Sequence, residues 1–167
     1  MSKTTTRRAN AVAAAPEKAA STDWLRIAAI GLSIVGILVA GYMSWAELTG
    51  GETVCLDAGS IDCAAVQESA YAETLGIPVA VMGLLGYIAI LAVLILEDQV
   101  PFFAVYGRAL VIGFTLFGVL FSLYLTLIEA TVLELWCQWC VISAILITAL
   151  LIIGVYRWYR MIQPLRA

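Results

Sequence analysis

Four cysteines carry the redox chemistry open to this 167-residue chain. Cys137 and Cys140 form a Cys-x-x-Cys pair within the stretch LWCQWCV, where a long apolar run begins, and Cys55 and Cys63 stand in an earlier, more polar stretch. A dithiol gives up two electrons when it closes to a disulfide, and the attacking species in such exchange is the thiolate. If Cys137 and Cys140 occupy the first turn of a helix, the unsatisfied backbone N–H groups and the helix dipole favour a thiolate there. The earlier pair repeats the device: Asp62 suits an N-cap, Cys63–Leu75 reads as a short helix, and Gly76 supplies a left-handed C′ position before Pro78. Two pairs, Cys55 with Cys63 and Cys137 with Cys140, fit the count, although four cysteines permit three connectivities.

Other chemistries fit less well. The chain has no histidine, so Ser–His and Cys–His nucleophile systems and histidine-ligated haem or metal are excluded. Four thiolates could bind zinc, but only one Cys-x-x-Cys is present and the compartment is expected to be oxidising, so no metal is expected. A structural Cys55–Cys63 staple is plausible taken singly, whereas a Cys-x-x-Cys disulfide closes a tight ring that stabilises little. Trp136 and Trp139 fit an interfacial aromatic belt and are also placed to stack on a flat cofactor.

The elements that must position these residues are membrane helices. Hydrophobic residues make up 63% of the chain and charged residues 13%, outside the usual make-up of a soluble domain. Four charge-free windows, about 27–45, 79–96, 109–128 and 135–156, are long enough to span a bilayer, where a helix satisfies its own backbone groups. The first window is too long for a signal peptide and lacks its cleavage site. Residues 1–23 read as a disordered cytoplasmic tail, 24–160 as the redox domain with an outer loop over 46–77, and 161–167 as a second short tail.

Charge sets the orientation. All nine Lys and Arg flank one side of the windows, while the loop after the first window and the Glu129–Glu134 connection carry only acids. Both termini are therefore expected in the cytoplasm and all four cysteines outside it, in an inner or cytoplasmic membrane. No ionisable residue lies within a window, which leaves an ion pump without its usual relay. An apolar electron acceptor that arrives through the membrane fits this arrangement, and a quinone, which takes two electrons, matches the dithiol. A non-enzymatic scaffold with inert disulfides is the competing expectation.

Taken together, Cys55-x7-Cys63, Ser69, Gly76-Ile77-Pro78, Gly83 followed by Tyr87, and Cys137-x-x-Cys140 resemble the vitamin K epoxide reductase family in its bacterial form. The disulfide-bond formation protein B family has similar chemistry, but its Cys-x-x-Cys lies in the first outer loop, the reverse of the order here. The resemblance implies a four-helix transmembrane bundle, all-α, with a partly helical loop over its outer end. It implies that Cys137 and Cys140 form the active-site disulfide, with Cys140 nearest the quinone. Cys55 and Cys63 would receive electrons from an extracytoplasmic thioredoxin-like protein, and Ser69 would support the transfer by hydrogen bonding. Many bacterial members fuse that thioredoxin-like domain, and with the chain stopping at Ala167 a separate partner protein is expected. Val79 and Ala144 replace residues that some relatives use, so epoxide reduction and coumarin sensitivity are not expected. Gly31, Gly36, Gly83, Gly86, Gly113 and Gly118 are read as points of close helix packing.

Overall fold

The computed structural model describes residues 15–51, 53–55, 61–69, 71–74 and 76–163. Four long helices dominate: α1 (Ala15–Thr49), then, after a short helix α2 (Cys63–Gln67) and two strands β1 (Glu73–Thr74) and β2 (Ile77–Pro78), α3 (Val79–Leu96), α4 (Pro101–Ile128) and α5 (Gln138–Ile162). All four are long and apolar enough to cross a membrane. Consecutive long helices run antiparallel, and large apolar side chains such as Leu38, Phe117 and Ile152 face outward, as a lipid-embedded bundle requires.

Three helices extend past their charge-free windows because the charges at their ends are paired. Arg26 in α1 pairs with Asp98 and donates to the Leu94 carbonyl at 3.0 Å. Glu97, 7% exposed, accepts from Arg108 Nε at 3.0 Å and from Arg157 Nη2 at 2.8 Å. With its guanidinium neutralised, Arg108 need not mark a helix boundary, and α4 starts at Pro101, a residue suited to a first helical position. Likewise α5 continues through Arg157 to Ile162, with the Arg160 guanidinium 5.3 Å from the Tyr156 ring centre. The start of α1 at Ala15 falls within the segment expected to be disordered, and residues 1–14 lie outside the described residues.

The core between the helices is built from Ala29, Ile90, Leu94, Val111, Ile147 and Leu150. Buried hydroxyls satisfy themselves within their own helices, Ser33 on the Ala29 carbonyl at 2.8 Å and Thr115 on that of Val111 at 2.7 Å. Only two of the six glycines read as packing points act as such. A Cβ on Gly36 would collide with the Tyr87 ring, and one on Gly118 would stand 2.8 Å from Ile147. Gly31, Gly83, Gly86 and Gly113 have open space where a Cβ would go, which corrects that expectation for these four.

The loop departs from its expected helix. Asp62 does cap α2, accepting from the Ala65 N–H at 3.0 Å, but α2 ends at Gln67 rather than Leu75. The Ser69 hydroxyl takes up the Val66 carbonyl at 2.7 Å, and the chain then turns into the β1–β2 hairpin, with Glu73 opposite Pro78 and Thr74 opposite Ile77. Gly76, at φ +76°, supplies the left-handed residue, in a hairpin turn rather than at a helix end.

Candidate functional site

The end of the bundle away from the Arg–Glu network holds all four cysteines. Its geometry starts with the last turns of α4. After Ile128 the helix widens into a π-helical turn over Glu129–Leu133, and Glu134 adopts a left-handed conformation at φ 53°. The chain then runs extended, with Ile61 and Trp136 forming a parallel bridge in which the Asp62 N–H donates to the Trp136 carbonyl at 3.2 Å. This pairing delays α5 to Gln138 instead of Leu135. Cys137 is therefore the N-cap residue, with its carbonyl accepting from the Val141 N–H, and Cys140 lies in the first helical turn.

Cys55 and Cys63 are disulfide-bonded, and Cys137 and Cys140 are free thiols. The two pairs meet in one buried cluster. Cys63 and Cys137 are 1% and 0% exposed and pack with Met43 and Val66, while Cys55 and Cys140 are half-buried at the margins of the same cluster. A hydrogen bond to Cys140 holds the Cys137 thiol below the usual thiol range, against burial and the negative charge of Glu129, which push it up.

Beneath the loop lies a cavity of about 530 Å³, walled by all four long helices and by α2 and the segment after it. Cys140 lines it, together with Met43, Gly83, Gly86, Tyr87, Phe117 and Phe121. Ser69 also lines it, through a side chain already committed to the Val66 carbonyl. The open space at Gly83 and Gly86 is part of this cavity, so glycine there leaves room for a guest. Tyr87 presents a hydroxyl that donates to the Ser143 carbonyl at 2.9 Å. A mostly apolar, aromatic-walled space of this volume, with few polar groups and a thiol at its edge, has room for a flat apolar guest.

The tryptophans sit elsewhere. Neither Trp136 nor Trp139 is among the cavity-lining residues. Trp139 stacks at a tilt on Tyr42, ring centres 5.1 Å apart, and donates from Nε1 to the Val54 carbonyl at 3.0 Å. Tyr42 in turn accepts from the Val54 N–H at 3.0 Å, and Gln138 donates to the Val54 carbonyl at 3.3 Å. These contacts clamp the backbone next to Cys55 onto the head of α5. The structure thus gives the pair a loop-positioning place, not a place beside the cavity.

Glu129 belongs to the site and was missed from the sequence, where it counts as one acid of a solvated outer connection. It is 4% exposed, lines the cavity, accepts from the Cys137 N–H at 3.4 Å and is hydrogen-bonded to the Cys140 thiol. Its position at the very end of an apolar window, eight residues before Cys137, is the one sequence signal that sets it apart from the other loop acids.

A model of the vitamin K epoxide reductase family matches residues 27–155. That span takes in all four cysteines, the cavity and most of each long helix. The chain belongs to the vitamin K epoxide reductase family.

Proposed function

We propose that this membrane thiol–disulfide oxidoreductase reoxidises an extracytoplasmic thioredoxin-like protein and delivers the electrons to a membrane quinone, thereby supporting disulfide formation outside the cytoplasm. The charge asymmetry supports an extracytoplasmic position for the cysteine end. One observation carries the proposal: Cys63 and Cys137 are packed in one buried cluster, with half-exposed Cys55 on its outer margin and Cys140 on the cavity.

On this ordering, a partner thiolate attacks Cys55, and Cys63 leaves as a thiolate. The partner's second thiol resolves the mixed disulfide, so the partner is oxidised and Cys55 and Cys63 are both reduced. Cys63 then attacks Cys137 of the Cys137–Cys140 disulfide, Cys140 leaves, and Cys55 displaces Cys137 to restore the loop disulfide. Two electrons and two protons have moved inward at each stage, leaving the Cys137/Cys140 dithiol beside the cavity. A quinone, when bound, supplies a two-electron, two-proton acceptor. Met43, Gly83, Gly86, Tyr87, Phe117 and Phe121 are the residues that would hold it and keep water from the sulfur.

The test separates the two pairs. Cys55→Ser and Cys63→Ser should lose oxidation of a reduced thioredoxin-like protein yet keep quinone reduction driven by dithiothreitol, which reaches the inner pair directly. Full activity toward the protein dithiol in Cys55→Ser would refute the relay.

A further inference from the structure

At the opposite end of the bundle Arg26 pairs with Asp98, and Arg108 and Arg157 pair with Glu97, whereas no ion pair between described residues involves Glu129. A buried carboxylate without a cation is costly, and the usual relief is to take up a proton. Its neighbours are a backbone N–H and a thiol. The N–H of Cys137 is fixed by the backbone at 3.4 Å, so one oxygen is oriented by the chain itself, while the carboxylate also reaches the Cys140 thiol and borders the cavity. The π-helical turn is what makes this possible. It begins at Glu129, and it carries the end of α4 into the extended segment that leads to Cys137.

We propose that Glu129 is the proton acceptor and donor for Cys140, taking its proton as the Cys137–Cys140 disulfide forms and returning it when that disulfide is reduced. Resting on the oxidoreductase reading above, the step balances as follows. The two thiols and the Glu129 carboxylate become a disulfide and a carboxylic acid, with release of one proton, from Cys137, and of two electrons to the quinone-class acceptor. Negative charge on the Glu129–Cys140 pair is therefore never doubled. Reduction by the loop pair reverses the step, with the Glu129 carboxylic acid protonating Cys140 as it leaves.

The proposal predicts a proton count that needs no turnover. The Cys137/Cys140 couple of the full chain, free of quinone, is equilibrated with dithiothreitol buffers from about pH 6 to 8, around the operating range of acid–base groups, and its redox state is read by thiol trapping and peptide mass. One proton retained per two electrons removes a tenfold change in the equilibrium constant per pH unit, or about 30 mV. Glu129→Gln should thus show a potential that falls more steeply with pH than the native protein, by about 30 mV per unit, and Glu129→Asp should restore the shallower native slope. Identical slopes in native protein and Glu129→Gln would overturn the proposal. Because Glu129→Gln could fold poorly, the native protein supplies a second measurement. Its infrared difference spectrum between dithiol and disulfide forms should contain a carboxyl C=O stretch, and the absence of any such band would equally overturn it. Quinone turnover that survives in native protein while the slopes coincide defeats only this role of Glu129, whereas quinone reduction that persists in Cys140→Ser defeats the underlying oxidoreductase reading.

Discussion

Two buried glutamates mark the two ends of this bundle and show how the same side chain is used for different ends. Glu97 lies between Arg108 and Arg157, its carboxylate satisfied by a guanidinium on either side. Glu129 lies at the other end among thiols, a backbone amide and an apolar cavity. A fully paired carboxylate has its charge fixed and ties helices together. One that faces thiols can exchange protons with them. The Arg–Glu end of the molecule is thus built as a clasp, and the cysteine end is the proposed reaction site.

The sharpest break of that contrast is at the cysteines themselves. Cys137→Ser should reduce quinone-dependent turnover to the uncatalysed level at a cost of about 1–3 kcal/mol in stability, since a buried sulfur is exchanged for a hydroxyl. Assays of both quantities on one preparation check it. Arg157→Ala should do the reverse. Removing one partner of a buried ion pair costs about 3–5 kcal/mol, so the unfolding temperature should drop sharply while activity per folded molecule stays near native.

Smaller effects sharpen the picture of the cavity. A Cβ at Gly86 meets open space on the cavity wall, so Gly86→Leu should project its side chain into the cavity and raise the KM for quinone roughly tenfold, equivalent to ~1.4 kcal/mol, with little change in unfolding temperature. Gly36→Ala offers the contrast, because its Cβ meets the Tyr87 ring and should cost about 1–3 kcal/mol of stability. The gentlest change is in thiol titration. Cys137 ionises below the usual thiol value because Cys140 hydrogen-bonds to it, so its thiolate fraction rises at lower pH than that of an ordinary cysteine. Cys140→Ala removes that bond and should move the midpoint of its thiolate absorbance upward, while Glu129→Gln removes an opposing negative charge and should move it downward.

Much of this was legible in the residues because the relevant signals are local. Apolar runs identify the membrane helices, Cys-x-x-Cys at the head of the last one identifies the inner pair, and Asp62 before Cys63 identifies the start of α2. What escaped depends on contacts between distant segments. Arg26, Arg108 and Arg157 look like helix boundaries until Asp98 and Glu97 are placed beside them. Likewise, the bridge from Ile61 to Trp136 turns Cys137 from a helical residue into a cap, and it leaves Trp136 and Trp139 holding the loop instead of facing the cavity. Glu129 was hidden by a π-helical turn, whose change of hydrogen-bond register has no sequence signature of its own.

The proposed electron route runs from a protein dithiol, through the loop pair, to Cys137 and Cys140 and out to a quinone. It is tested most directly by anaerobic oxidation of a reduced thioredoxin-like protein by the purified chain with a membrane quinone as acceptor, native against Cys140→Ser. Turnover in the native protein that vanishes in the variant is the predicted result. Equal rates in the two, or no turnover in a natively folded preparation with any of the common quinones, would contradict it.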